Sequence, residues 1–355
     1  MKIAVISAQV FAVPVSGYSG LEHLAWQQAK YLALRGHQVI LFAPNGSSCP
    51  GCQVVHTGEP GWDEKVAYGG DGKPGGWGGY WSLLPQMDCI ISNDWQKNAY
   101  LLKMEGRLPA PVLGVCHAPV DTMFKELPPL EKPCFVCISE DQANHFRGLF
   151  NKDCRVAYNG IDTTVYAPLA LPRSDRFLFL ARFSTIKGPD IAIQACKDAG
   201  VGLDLIGDTT ITGEPELLKR CLDMADGKQI RVLGGMSRGE CVWWFSQAKA
   251  LLHPAGKGWR EPFGLSPVES MSCGTPVIAY DAGALRETIY HCENFKPLVK
   301  NYDEFVAAIK AAAGPNGITE NDRQRCRVNA SRFSVEKMAA RYEELCCEAI
   351  KTGGW

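Results

Sequence analysis

The sequence predicts an α/β protein built of two doubly wound parallel sheets, and three observations carry that reading. Short apolar runs bounded by turn residues alternate with amphipathic helical stretches, once over residues 1–168 and again over 175–334. Such alternation is the mark of strand–helix–strand units, whose strands pair in parallel. The chain has 355 residues, enough for two domains of ordinary size. A proline-flanked stretch, Pro168–Ser174, separates the two sets and reads as the linker.

In the first set, the runs at 2–7, 38–43, 88–92, 112–116 and 134–138 are almost wholly apolar, as strands covered on both faces must be. The Gly-rich loop Ser16-Gly17-Tyr18-Ser19-Gly20 follows the first of them. Ser19, with Glu22 three residues on, predicts the start of a helix over 20–35, and Leu21, Leu24, Ala25, Gln28, Ala29 and Leu32 form its inner stripe. Gly69–Trp81 holds too many glycines for a regular element and is expected as a mobile loop. In the second set, strands fall at 176–181, 202–206, 230–233, 250–252 and 276–280. A helix opens at Pro189 and stops at Gly200, with proline just inside the start and glycine just past the end. Val335 to about Lys351 reads as a final helix.

Composition narrows the class without naming a function. A hydrophobic fraction of 46% and a charged fraction of 21% describe a soluble globular protein. A net charge of -1 and a pI near 6.7 supply no bulk positive field for nucleic acid or anionic membrane. No run approaches the roughly 18 apolar residues of a spanning helix. Met1-Lys2-Ile3 opens directly into a strand without signal-peptide organisation, so the expectation is a cytoplasmic protein with no integral membrane segment.

Fifteen cysteines are many, yet far from a disulfide scaffold's density. Cys134 and Cys137 lie three apart on a strand and point to opposite faces, a poor chelating pair. Cys49-Pro50-Gly51-Cys52 is a turn, with chelation and a disulfide both open to it, although a zinc site needs four ligands. The remaining thiols read as small apolar core residues, and no metal is expected.

The most informative stretch is Glu261-Pro262-Phe263-Gly264-Leu265-Ser266-Pro267-Val268-Glu269, running on into Ser270-Met271-Ser272-Cys273-Gly274-Thr275-Pro276-Val277-Ile278-Ala279. It reads as a loop, a helix and a buried strand. Ser266 fits an N-cap, Pro267 the first helical residue and Glu269 the returning acid of a capping box. Taken alone, Glu269 is explained by that cap, and Glu261 by a solvated loop. The helix, however, carries small and apolar residues where a solvated face would be charged, so its N-terminus points at something, and helix N-termini bind phosphate.

In this arrangement the chain resembles the retaining glycosyltransferases of the GT-B fold, family 4, whose signature is two glutamates separated by seven residues. Ile138-Ser139, Asn159-Gly160-Ile161-Asp162, Ala181-Arg182 with Lys187-Gly188, and Leu205-Ile206-Gly207 follow in the family's order. The likeness leans toward the branch that holds antibiotic-pathway transferases of avilamycin type. It implies two Rossmann-like domains facing a cleft: 1–168 on the acceptor side, 175–334 binding the nucleotide-sugar, and 335–355 as a helix returning to the first domain. It also implies transfer of a sugar, with retained configuration, from a nucleoside-diphosphate sugar (UDP favoured, GDP next) to a hydroxyl acceptor. That acceptor is a saccharide, a lipid-linked glycan, a natural product or a modified nucleic acid. No cofactor or metal is required, since no D-x-D pair stands in the cleft motifs.

The chemistry assigns roles. Charge builds on the leaving phosphate, so cations are needed there. Arg182 ends a predicted strand and Lys187 precedes the helix at Pro189, which places both at the carboxyl edge of the second sheet, where open α/β sheets bind ligands. By resemblance, Glu269 holds the ribose hydroxyls and Glu261 the hydroxyls of the transferred sugar. The amides of Phe263, Gly264 and Leu265 then approach sugar and diphosphate, and Gly17 and Gly20 let the first-domain loop close on the donor. His117, in Val115-Cys116-His117, matches the family's active-site histidine. Asp94 ends the preceding strand and either orients His117 or binds acceptor; Ser92 and Asn93 stand where the family more often has histidines. Trp77, Tyr80 and Trp81 are candidate acceptor contacts, or a loop folded on its own aromatics.

Two other functions fit the same fold: a nucleotide-sugar 2-epimerase and a non-catalytic nucleotide-sugar binding module. The presence of Arg182, Lys187, Glu261 and Glu269 together argues for the enzyme that transfers.

Overall fold

The structure is a computed structural model of the chain that describes residues 1–17, 19–61, 78–94, 98–123, 131–210, 213–255 and 258–355. Packing divides it into two compact units. One comprises Met1–Val15, Ser19–Gly160 and Val335–Trp355, the other Ser16–Tyr18 and Ile161–Ser334. Pro168–Ser174 lies inside the second unit, where Arg173 donates to the Thr275 hydroxyl at 2.8 Å.

The first unit holds seven parallel strands: β1 Lys2–Ile6, β2 Gln38–Ala43, β3 Gln53–His56, β4 Cys89–Ser92, β5 Val112–Cys116, β6 Phe135–Cys137 and β7 Arg155–Val156. Their order is β3-β2-β1-β4-β5-β6-β7, with β1 central between β2 and β4. Helices cover both faces of such a sheet, which is why β4 and β5 are buried at every position. The helix Leu21–Leu34 has Gly20, not Ser19, as its N-cap and begins one residue after the predicted start; the Ser19 hydroxyl still accepts the Glu22 N–H at 3.3 Å and donates to the Glu22 carboxylate. The closing helix Val335–Thr352 belongs to this unit and packs along Leu21–Leu34. Its Glu343 accepts from Arg35 Nε at 2.7 Å and from His37 at 2.9 Å.

One local expectation is corrected in part. Residues 69–77 of the Gly-rich segment lie outside the described residues, and its last four residues belong to the 3-10 helix Gly78–Gln86. Leu84 and Met87 sit in the first unit's core and anchor this turn of chain.

The second unit holds six parallel strands: β8 Phe177–Leu180, β9 Leu203–Ile206, β10 Ile230–Val232, β11 Leu251–His253, β12 Val277–Tyr280 and β13 Leu298–Val299. Their order is β10-β9-β8-β11-β12-β13. Phe177, Phe179, Phe183, Ile193 and Phe305 fill its core. The helix Pro189–Ala199 runs between Gly188 and Gly200, both left-handed, as its sequence predicts. Both units are thus Rossmann-like parallel sheets. Strand order reverses between β1 and β4 in one and between β8 and β11 in the other, and a crevice opens at the carboxyl ends of such a pair.

Candidate active site

In the second unit the segments that follow β8 and β11 carry the predicted cations and Glu261. Arg182 and Lys187 follow β8; His253 ends β11, and Trp259 and Glu261 follow it. Glu261 is buried, and three donors converge on its Oε2: Lys187 Nζ at 2.6 Å, Trp259 Nε1 at 3.1 Å and His253 Nε2 at 3.2 Å. The Lys187 ammonium also lies 5.5 Å from the Trp259 ring centroid, within cation–π range. Burial pushes the Glu261 carboxyl up, but the Lys187 charge and the His253 bond outweigh it and hold the group well below the usual carboxylate range. Burial pushes His253 down, against the pull of Glu261, so its ring is neutral at pH 7 and donates from Nε2.

Two glycines hold this carboxylate in place. Gly283, at φ +59, lets the next loop touch the Glu261 backbone: a Cβ there would stand 2.4 Å from the Glu261 carbonyl oxygen. Gly264, at φ +85, turns the chain directly into the helix Leu265–Ser272.

That turn corrects the predicted helix start. Gly264, not Ser266, is the N-cap, with no side-chain cap bond, and Pro267 is the third helical residue. A left-handed glycine lets the helix begin two residues early, and a first-turn proline is tolerated because its missing N–H would have had no partner. Glu269 therefore lies in the second turn and is not the acid of a capping box. Its carboxylate instead stands 3.6 Å from Arg238 and bonds the Tyr166 hydroxyl, which Arg238 also reaches at 3.2 Å. Burial raises the Glu269 carboxyl above its ordinary range, with Arg238 opposing.

Phe263 has two parts to play. Its ring is buried edge-on against Phe333, with centroids 5.5 Å apart, while its amide, with those of Gly264 and Leu265, lies at the N-terminus of the helix. Arg182 sits near Glu214, whose carboxyl is held low by two bonds from Thr185 and by the Arg182 charge among others. Lys187 and Glu261 are thus in direct contact, whereas Arg182 and Glu269 have other neighbours.

The first unit's reversal point places the other predicted residues. Gly20 caps Leu21–Leu34. Gly17 is not demanded by packing, since a Cβ there meets nothing within 4 Å. Ser16 groups with the second unit, its carbonyl accepting the Arg238 N–H at 3.1 Å. His117 follows β5 and bonds Asn93 Oδ1 at 2.8 Å through Nε2. The Asn93 amide nitrogen donates to the Ile6 carbonyl at 3.2 Å, so its oxygen faces the ring and His117 carries its proton on Nε2. Burial pushes His117 down to about 4. The residue orienting the ring is thus Asn93, while Asp94 accepts from the Ser92 hydroxyl. Trp77 lies outside the described residues, and Tyr80 and Trp81 fall in the helix Gly78–Gln86.

Sequence reasoning passed over His253, Trp259, Asn93, Tyr166 and Arg238. His253 had one visible signal, a histidine closing an apolar run before Pro254. The others depend on tertiary contacts. Among the described residues no group of three His, Cys, Asp or Glu side chains could hold a metal ion, and no helix is long and apolar enough to cross a membrane.

A pair of Rossmann-like parallel-sheet units, with the paired glutamates at the reversal point of the second, defines the GT-B class of chain. Comparison with known proteins agrees half by half. Residues 18–165 match the family model described as Glycosyltransferase Family 4, and residues 168–332 match that of glycosyl transferases group 1, so each half of the chain carries a glycosyltransferase family domain. A D-inositol 3-phosphate glycosyltransferase of Pseudarthrobacter chlorophenolicus is 26% identical over 153 residues, 38% of this chain and 36% of that protein. The chain thus matches little more than a third of that relative's length. A sucrose-phosphate synthase from Thermosynechococcus elongatus superposes with a TM-score of 0.78 at 18% identity, covering 99% of each chain. HepE from Anabaena, solved in complex with UDP-glucose, superposes at 0.73 and 18% identity, covering 98% of this chain and 100% of that one. At such identities the likeness is one of fold.

Proposed function

We propose that the chain transfers a sugar, with retained anomeric configuration, from a nucleoside-diphosphate sugar to a hydroxyl acceptor, UDP being the favoured nucleotide and GDP the next. The observation that carries this is the buried Glu261 carboxylate, kept ionised by Lys187, His253 and Trp259 at the reversal point of the second sheet. An ionised acceptor bonds a hydroxyl about twice as strongly as a neutral one. Three donors share Oε2, which directs the sugar's hydroxyls to the other oxygen.

In this reading Arg182 and Lys187 neutralise the leaving diphosphate together with the N-terminal amides of Leu265–Ser272. Lys187 spends one of its three N–H donors on Glu261, and the others serve phosphate oxygens. Glu269, held by Arg238 and Tyr166, accepts from the ribose hydroxyls. His117, neutral and protonated on Nε2, presents Nδ1 as an acceptor to a hydroxyl. Attack comes from the face the phosphate leaves, and a phosphate oxygen takes the acceptor's proton. The UDP-glucose complex of HepE supports a nucleotide-sugar donor, and the D-inositol 3-phosphate glycosyltransferase relative supports glycosyl transfer.

The test is a panel of UDP-, GDP- and ADP-sugars, scored for thermal stabilisation and for turnover with and without hydroxyl acceptors. A donor at about a hundred times its dissociation constant should add roughly 2.7 kcal/mol of stability. Donor altered without acceptor would point to the epimerase, and stabilisation without turnover under any acceptor to a binding module. A product of inverted configuration would contradict the retaining step.

A further inference from the structure

Outside this site, four pairs of cysteines have their thiols in hydrogen-bonding contact: Cys49 with Cys52, Cys89 with Cys346, Cys137 with Cys154 and Cys292 with Cys326. In the last three pairs both members are buried. Cys52 alone among the eight is half-exposed, and its sulfur lies 3.1 Å from that of Cys49. All fifteen cysteines are free thiols.

The Cys49-Pro50-Gly51-Cys52 turn between β2 and β3 holds the two sulfurs together by its backbone. The Cys52 N–H donates to the Cys49 carbonyl at 3.2 Å, and Gly51, at φ +77, makes the left-handed bend. The preceding residue is anchored through both of its backbone groups. Ser48 donates its N–H to the Val13 carbonyl at 2.7 Å, and its own carbonyl accepts from the Trp26 indole at 3.0 Å. The pair is therefore brought together by the fold before any bond forms.

We propose that Cys49 and Cys52 are a reversible dithiol–disulfide site, closed by small disulfides of the glutathione kind and reopened by thiols. Exposure sets the order of events, since Cys52 is half-exposed and Cys49 buried. The Cys49 S–H donates to the Cys52 sulfur, which lowers the Cys52 thiol and raises that of Cys49. Cys52 is thus the accessible nucleophile, and Cys49 the buried resolving thiol. The Cys52 thiolate attacks the oxidant's S–S bond and expels one thiolate. Cys49 then loses its proton and attacks the Cys52 sulfur, expelling the second. Two protein thiols are oxidised and one disulfide is reduced to two thiols, so electrons and protons balance. Closure draws the sulfurs from 3.1 Å to about 2.05 Å, a short movement within the same turn.

The test uses the folded chain in mixtures of reduced and oxidised glutathione, followed by acid quenching, alkylation and tryptic mass spectrometry. Arg35 and Lys65 bound one peptide, residues 36–65, in which Cys49 and Cys52 are the cysteines present. It should appear unalkylated and lighter by two hydrogens in oxidising mixtures, and return on adding excess reduced glutathione. The peptides holding the three buried pairs should stay alkylatable after unfolding. In Cys49→Ser, Cys52 should take up one glutathione, roughly tenfold or more faster than Cys49 does in Cys52→Ser. Two alkylated cysteines in the 36–65 peptide under oxidised glutathione, with the circular dichroism of the folded chain intact, would overturn the proposal. So would closure no faster than in the buried pairs, or equal uptake by the two serine variants.

Discussion

Replacing Glu261 with glutamine removes one charge from a buried pair while keeping its shape. Lys187 lies 2.6 Å from the carboxylate, and both side chains are largely buried, at 16% and 8% exposure. At an effective dielectric of about 20 their attraction is about 6 kcal/mol, much of it offset by the cost of taking both charges out of water. Breaking such a pair from one side leaves an uncompensated ammonium, which typically costs about 3–5 kcal/mol. Glutamine still offers an oxygen to Lys187, His253 and Trp259, so the loss should fall near the low end, about 3 kcal/mol. Removing the cation as well, in Lys187→Met/Glu261→Gln, should recover most of it. The assay is equilibrium urea unfolding of the four proteins of the cycle, with a coupling energy of about 2–3 kcal/mol expected. Additivity within about 0.5 kcal/mol would refute the reasoning, because it would mean that the two charges do not hold one another.

Three further outcomes are expected. Arg182→Ala and Lys187→Ala should leave the chain folded, Lys187→Ala with the stability loss of a buried pair broken from one side, and both should weaken nucleoside-diphosphate binding and nearly abolish transfer; unchanged affinities by calorimetry would remove the diphosphate assignment. Transfer should survive EDTA, and complete loss restored by magnesium or manganese would count against neutralisation by Arg182, Lys187 and helix amides. Burial holds folded His117 at about 4 against an unfolded value of about 6.5, so acid protonates the unfolded chain first. The stability it contributes is complete above pH 6.5 and drains as pH falls through 4, by at most about 3 kcal/mol. His117→Asn should flatten that part of the pH–stability curve, leaving the contribution of His253, which burial also lowers, and an unaltered slope would show that His117 is not buried neutral.

The strands were legible because buried parallel strands are apolar throughout, and the ten predicted runs all became strands. The three strands passed over, Gln53–His56, Arg155–Val156 and Leu298–Val299, lie at sheet edges and are two to four residues long, too short for an apolar run to mark them. In the site, the Glu261 and Glu269 spacing was visible, as were the cations after β8. The helix start was misread because Ser-Pro is a strong opening signal, and the positive φ that made Gly264 the cap is invisible in sequence. The donors on Glu261 were hidden for another reason. His253 and Trp259 look like a strand residue and a loop aromatic until the fold brings them to one oxygen. Asn93 is similar: its amide can be assigned to His117 once Ile6 is known to stand beside it.

The central claim is that the second unit binds a nucleoside-diphosphate sugar through Glu269 and Glu261 in separate roles. Glu269→Gln leaves the helix start untouched, since Gly264 is the cap, and in the proposed role removes the carboxylate that accepts from ribose hydroxyls. Glu261→Gln alters contact with the transferred sugar. Single-turnover kinetics with the best UDP-sugar, run beside UDP calorimetry on both variants, tests this most directly. The account predicts that Glu269→Gln weakens UDP binding and raises donor KM with a smaller loss of rate, while Glu261→Gln binds UDP nearly as the parent does and loses mainly the chemical step. The reverse pattern, with Glu261 governing UDP affinity and Glu269 the chemical rate, would contradict it.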